Sequence, residues 1–457
     1  MAFLLAIPVL SIPIFSTALL AVPARAEPLT ESTIIRDGSL GIDPIQETSF
    51  SGGTTFEIGE SNGYRPGGAA GINLLHSFGR FELAAEDTAN FSADYLTENI
   101  VVRVPNSPTI IEGRVNTRSV PNTNANTNAA NLYWLSPQGV IFGENAELNV
   151  GGSLSVSTAD SLSFDADGQS QTFEARSNGA VPTLAMARPE AFGFLGDASQ
   201  RIVFNSSLIC GAGYSFCGGA QVRGDLSFQA GGVDLLGGTA FVVNSKDIGI
   251  VATDSISISG FDTDGLGSGI FITNGDVAEG GSLRLSADRI LLTDATTLMI
   301  NNHDGNNTTS GGAIQLTATS LIRLDGTDDT NQSLRLAPGV TEEPSGSTGI
   351  NSLRARLQQG SVDILTAGSD VDSSGAVGAI ELEAPVIELL DGAEVFTYAL
   401  GSESADITLT ATDRLELSGR GGDAAASGSA VHSRNQGAGQ ADGRAGDVIV
   451  RAGEVLL

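Results

Sequence analysis

Apolar and polar positions alternate along much of the chain in short runs, and from the middle onward the runs repeat. The unit is a small residue pair, then Φ-x-Φ-x-Ala with Φ apolar, a turn of two or three residues, and Φ-x-Φ again. Its first apolar position falls at Leu154, Leu226, Ile248, Leu283, Ile314, Ile380, Ile407 and Val448. Glycine stands two residues earlier in six of these eight copies, and alanine four residues later in seven, Thr158 being the exception. The second pair follows as Val233/Leu235, Ile256/Ile258, Ile290/Leu292, Ile387/Leu389 and Leu415/Leu417. Asp or Gly then closes the rung, at Gly237, Gly260, Asp294, Asp391 and Gly419. A period of two predicts strands that bury one face. The alanine falls where the chain bends between strands, where a larger side chain would crowd the interior.

Successive copies lie 22 to 41 residues apart, except for a 72-residue gap after Leu154 and a 66-residue gap after Ile314 that holds a weaker copy around Ser361-Val362-Asp363-Ile364. Fixed rungs with loops of variable length are the mark of a solenoid. The fold class this predicts is all-β, a right-handed parallel β-helix with an N-terminal capping region. Coils of roughly 25 residues would give about 17 coils and a rod of about 80 Å. A string of antiparallel sandwiches would instead place Asn-Gly or Asp-Gly hairpin turns directly between paired strands. The chain stops at Val455-Leu456-Leu457 in the middle of a rung, which reads as a piece of a longer rod.

Before the repeats the pattern is mixed. Thr33-Ile34-Ile35, Gly53 to Ile58, Asn73 to Phe78, Arg80 to Leu83 and Glu98 to Val104 read as strands. Asn116 to Asn128 is rich in Asn and Thr and reads as a loop, as does the polar run Asp325 to Ser347. Residues 1–26 are apolar through Val22 and end in Ala24-Arg25-Ala26, the pattern of a secretory signal peptide cleaved after Ala26. No basic residue precedes the apolar run, so the start reads as shortened. No other stretch approaches the ~20 apolar residues of a membrane helix, so stable membrane insertion is not expected.

Composition narrows the function. The net charge is −30, which disfavours nucleic acid and anionic membranes. It suits the solubility of an exported chain, and Asp in turns leaves room for diffuse calcium binding. There are 58 glycines against 19 Phe, 5 Tyr and 1 Trp, a poor supply for a deep globular core. The two cysteines, Cys210 and Cys217, form a close isolated pair that reads as a disulfide stapling a short loop. Their spacing and the lack of nearby His argue against zinc.

The most specific signal lies in Asn131 to Ala159, where the chain commits to winding. Asn73-Leu74-Leu75-His76-Ser77-Phe78-Gly79-Arg80-Phe81, Ala130-Asn131-Leu132-Tyr133-Trp134-Leu135, Gly139-Val140-Ile141-Phe142-Gly143 and Ala146 to Leu154 resemble the filamentous haemagglutinin N-terminal domain. That family is the secretion domain of two-partner systems, and later motifs such as Ala191-Phe192-Gly193-Phe194-Leu195-Gly196 resemble its cyanobacterial exoproteins. The resemblance implies a secretion domain over 27–165 and continuing β-helix repeats over 166–457. It implies export through the periplasm, passage through a dedicated outer-membrane transporter, and a secreted or surface-exposed adhesin with a possible host or cell-surface ligand. Transporter recognition falls on Asn131, Ser136, Pro137, Gln138 and Gly139. The family's usual Asn-Pro-Asn-Gly turn is Ser136-Pro137-Gln138-Gly139 here, with Pro and Gly in place.

Two rivals remain. One is a β-helix polysaccharide-degrading enzyme using paired carboxylates or Asp with Arg, the candidates being Asp262 with Asp264, Asp325 with Asp328 and Asp329, and Arg284. These Asp lie in turn contexts, the ordinary place for Asp. No nucleophile motif, phosphate loop or cofactor signature accompanies His76, His303 or His432. His76 reads as a structural hydrogen-bonding residue and Trp134 as a packing residue. The other rival is a ligand-free structural fibre. The favoured reading is an exported protein that is not an enzyme.

Overall fold

A computed structural model describes residues 28–41, 43–117, 129–166, 169–176, 181, 186–194, 200–214, 219–262, 267–274, 280–294, 296–302, 311–326, 363–368, 377–399, 404–419, 428–435 and 444–457. Parallel strands stack on three faces. The first face runs from the leading half of Asn73–Leu83 through Asn99–Arg103, Asn131–Leu135 and Leu154–Ser157. It continues in the leading halves of Leu226–Leu236, Ile248–Ser259, Leu283–Thr293, Ile314–Asp325, Ile380–Leu390, Ile407–Ser418 and Val448–Leu456. The second face holds the trailing halves of those long strands, with Thr109–Ile111, Val140–Phe142 and Arg201–Asn205 serving the early coils. The third face carries Gly53–Ile58, Thr88–Phe91, Arg114–Asn116 and Glu147–Asn149, then Leu208–Cys210, Ala240–Asn244, Gly269–Asn274, Thr297–Asn302, Asp363–Gly368, Glu394–Ala399 and Ala430–Asn435. The chain is a parallel β-helix, as the repeat predicts.

Each corner has its own chemistry. Between the third and first faces the repeat glycines stack backbone on backbone. A Cβ on Gly378 would lie 1.5 Å from the Gly312 carbonyl oxygen, and one on Gly312 would lie 1.7 Å from that of Gly281. Between the first and second faces the alanines stack, Ala230 on Ala252, Ala287 on Ala318, and Ala384 on Ala411 and then Ala452. The register slips just beyond them, as after Ala287 and Ala411, so the number of turn residues can vary without disturbing either face. Leaving the second face, the closing residues are left-handed: φ is 64° at Gly237, 81° at Gly260, 55° at Asp294, 49° at Asp391 and 88° at Gly419. Only Gly takes that conformation freely, and Asp tolerates it better than most, which is why the rung closes on Gly or Asp.

The interior is one continuous apolar column. Phe142 stacks on Phe204 at 4.6 Å, and Phe204 meets Phe241 edge-on at 4.8 Å, so rings from successive coils interlock. Removing one such buried ring or Leu costs about 2–5 kcal/mol.

The N-terminal edge is covered on all three faces by antiparallel segments. Thr33–Arg36 lies on residues 78–82, Gln46–Phe50 on Gly53–Glu57, and Tyr64 bridges Leu75. Exposed strand edges recruit other chains, and this cap removes one set of them. Two expectations are corrected. The described residues form eleven first-face strands, not about 17 coils, because long excursions and the cap use chain that the estimate gave to rungs. Ile314–Asp325 pairs directly with Ile380–Leu390, so the 66-residue gap contains no further first-face rung. Asp363–Gly368 belongs to the third face.

Candidate functional site

The central turn forms the corner between the first and second faces of the third coil. Asn131 opens its strand in a column with Asn73 and Asn99. Asn131 Nδ2 donates to Asn99 Oδ1 at 2.9 Å, and Asn99 Nδ2 donates to Asn73 Oδ1 at 2.8 Å. Asn131 Oδ1 accepts the Ser153 backbone N–H at 2.8 Å. The column goes on as Ser153, Asp225 and Asp247, each accepting the backbone N–H of the next coil. Asn131 is thus one of a series of short polar side chains that satisfy corner amides.

At the turn itself the Gly139 N–H donates to Ser136 O at 2.9 Å. A buried relay braces it: Trp134 Nε1 donates to Thr109 Oγ1, Thr109 Oγ1 to Ser136 Oγ, and Ser136 Oγ to Gly139 O, at 3.1, 3.1 and 2.8 Å. Gly139 is left-handed with φ 106°. Ser136, Pro137 and Gly139 are buried, and Gln138 is half-buried. Trp134 packs edge-on against Phe81 at 4.7 Å, the packing role expected of it. The structure therefore brings the five recognition candidates to one corner of one coil, with most of their polar atoms already engaged.

The outward side of the same coils is covered as well. After Ser157 the chain leaves the helix and returns at Arg201, and in between Ser161–Ala166 pairs antiparallel with Gln169–Glu174 and Pro189–Gly193. Leu162, Phe164, Phe173 and Ala175 from this excursion pack with Leu75, Val101 and Leu135 of the first three coils and Leu40 of the cap. Arg103 is fully buried among them. Its Nε donates to Ser77 Oγ, Nη1 to Glu174 O and Nη2 to Ser39 Oγ, at 2.8, 2.7 and 3.0 Å, and its guanidinium lies 4.4 Å above the Phe173 ring. Burial opposes ionisation of nearby Asp37, but hydrogen bonds from Ser77 and Ser39 and the Arg103 charge hold its carboxyl below the usual range. This network was missed in the sequence. The signal was the doubly apolar runs Leu74-Leu75 and Ile100-Val101-Val102, which leave no face for water.

A family model of the TPS secretion domain matches residues 46–333. The chain belongs to the TPS secretion domain family. Membership makes it a protein exported by two-partner secretion. The chain is also similar to the crystal structure of the HMW1 secretion domain from Haemophilus influenzae, at 14% identity over 93% of this chain and 99% of that one, with a TM-score of 0.35. No curated protein matches it.

The remaining candidates of this TPS chain are scattered. Arg284 lies exposed on the first face, donating to Gln315 Oε1 at 3.1 Å. Asp262 follows the turn at Gly260, Asp325 ends a strand, and Asp264, Asp328, Asp329 and His303 lie outside the described residues. So do 118–128 and 327–347 of the two expected loops, and the expected signal peptide. Cys210 is buried and disulfide-bonded; its expected partner Cys217 lies outside the described residues. A cleft of about 620 Å³ beside the third face is lined by Glu86, Asp87, Glu144 and Glu147, with Arg114 paired to Glu147. Among the described residues no cluster of His, Cys, Asp or Glu could hold a metal ion, and no helix is long and apolar enough to cross a membrane. His432 stacks on Phe396 at 5.2 Å. His76 is buried between Phe78 and Phe91, where among the described residues neither ring nitrogen makes a well-formed hydrogen bond and the Asn62 backbone is the polar group beside it. Burial pushes its pKa down to about 4, the nearby Asn62 backbone partly opposes this, and the positive charge of Arg36 adds to it.

Proposed function

We propose that this protein is the exported partner of a dedicated outer-membrane transporter, and that once outside it serves as a non-enzymatic, adhesin-like surface rod. Residues 1–26 direct passage across the inner membrane. The segment around Asn131 and Ser136–Gly139 is read by the transporter, and the coils beyond present loops to a host or cell-surface ligand. The observation that carries the reading is the secretion-domain match over residues 46–333, on a fold whose coils each stack on the one before. A solenoid can grow rung by rung from one end, so folding outside would oppose return. The engaged state of the turn adds a condition. Ser136, Pro137 and Gly139 are buried once the coil closes, so the transporter reads them in the chain before it folds.

The test is release into the medium with and without the cognate transporter, for the wild type, Gln138→Ala and Gly139→Asp. Transporter-dependent release that Gln138→Ala weakens, while its purified form melts like wild type, supports reading at the turn. Release that ignores the transporter removes the proposal. Activity on pectin, alginate or peptidoglycan would replace the adhesin with an enzyme.

A further inference from the structure

The outward side of the first face is dry at one end of the helix and wet along the rest. In the first three coils its positions are Leu75 and Ser77, Val101 and Arg103, and Tyr133 and Leu135. The same register positions become Ser155 and Ser157, the latter buried but donating to Gln229 O, then Ser227 and Gln229, Gly249 and an exposed Val251, Arg284 and Ser286, Gln315 and Thr317, and Glu381 and Glu383. The later residues need no cover. The earlier ones do, and their cover comes from residues further along the chain, Leu162, Phe164 and Phe173, which lie well beyond Leu75 and Val101 and nearer to Leu135. Arg103 makes the dependence strict. One of its three hydrogen bonds is to its own face; the others reach Ser39 in the cap and Glu174 in the excursion. A buried guanidinium is tolerable only when its donors are satisfied. Asn73 Nδ2 likewise completes its column by donating to the Ala187 carbonyl. Until Leu162, Phe164, Phe173 and Glu174 arrive, three coils expose Leu75, Val101 and Leu135 to water, and Arg103 cannot be buried.

We propose that the strands Ser161–Ala166, Gln169–Glu174 and Pro189–Gly193 form a clasp that locks the first three coils only after the chain has been delivered through Gly193, keeping the turn Ser136–Gly139 open to the transporter until then. The half that concerns the transporter rests on the function proposed above; the half that concerns folding does not. The lock divides the molecule kinetically. The N-terminal block closes as one unit of long sequence separation, whereas every later coil closes on its immediate predecessor.

Pulsed amide hydrogen exchange during refolding of the full chain tests the lock. The amides of residues 74–77, 100–103 and 132–135 are expected to gain protection in the same phase as 162–164 and 171–174. In Phe173→Ala and in Arg103→Leu their final protection falls on the order of 100-fold, and Arg103→Lys, which keeps charge without the planar fork, falls between. Leu382→Ala, an interior truncation in the rod, leaves that protection unchanged. Protection of the first three coils before residues 162–174, or full protection in both Phe173→Ala and Arg103→Leu, overturns the clasp. In cells, Phe173→Ala is expected to be engaged by the transporter but to accumulate in a protease-sensitive form outside. Wild-type release that does not need the transporter would overturn the functional reading while leaving the exchange result in force, so the two failures are separate.

Discussion

The first three coils and the coils from Leu226 onward share one architecture and one corner chemistry, yet they are held together differently. In the later coils the first face has a wet outward side, and its strands pair with those of adjacent coils. In the first three coils both sides of the first face are dry, and the cap, coils and excursion meet in a second core outside the helix. The difference shows that a solenoid need not be uniformly one-dimensional. A repeat array can carry a block whose stability depends on segments far apart in sequence, and here that block contains the candidate recognition turn.

The contrast can be broken most forcefully at Trp134. Trp134→Ala is expected to cost about 3–5 kcal/mol and to remove exchange protection across the first three coils while the rod from Leu283 keeps its own. A single joint loss in thermal unfolding would show that the two regions are not separate. Acidification should act on the block next, through His76. The unfolded ring takes up a proton near 6.5 and the folded one only at about 4, so stability is complete above pH 6.5 and drains as pH falls towards 4. The loss is about 3 kcal/mol by linkage. Denaturant titrations at pH 7 and pH 4 measure it, and His76→Leu should flatten the difference.

In the rod the expected effects are local. Gly378→Ala forces a methyl against the Gly312 carbonyl and should cost roughly 2–3 kcal/mol. Exchange would rise in Ile314–Asp325 and Ile380–Leu390, with the first three coils untouched; spread of the damage to residues 74–135 would contradict the division. The smallest effect is expected at Asp294. Asp294→Val puts a branched side chain at a left-handed φ and should cost about 1–2 kcal/mol, while Asp294→Gly stays close to wild type. Equal melting of the two variants would show that the closing conformation carries no strain.

Two of the three faces were legible in the sequence because their outward side is wet in the rod, so alternation survives. In the rod the third face was not, although Gly53–Ile58 at its start was. Its strands read Phe241-Val242-Val243, Ile270-Phe271-Ile272 and Leu298-Met299-Ile300, with the middle residue of each pointing outward into a separate buried stripe. When both sides of a strand are buried the period of two disappears, and the run looks like any apolar segment. The same loss hid the outer core of the first coils. The closing Gly and Asp residues were readable because left-handed backbone restricts residue type, and all five named positions adopt it. The candidate turn was placed by Pro137 and Gly139, but its burial was invisible. The relay from Trp134 through Thr109 to Ser136 joins positions 25 and 27 residues apart that only coiling brings together.

The stacked glycines between the third and first faces have a consequence for how such molecules change over generations. They fix the spacing between coils through backbone contact alone and are indifferent to what happens elsewhere in the turn. An insertion at another corner leaves the glycine stack intact, and removal of one whole coil, glycine to glycine, rejoins surfaces that already match. Rod length and loop content can therefore drift independently of each other, as long as each coil keeps its small and left-handed corner residues.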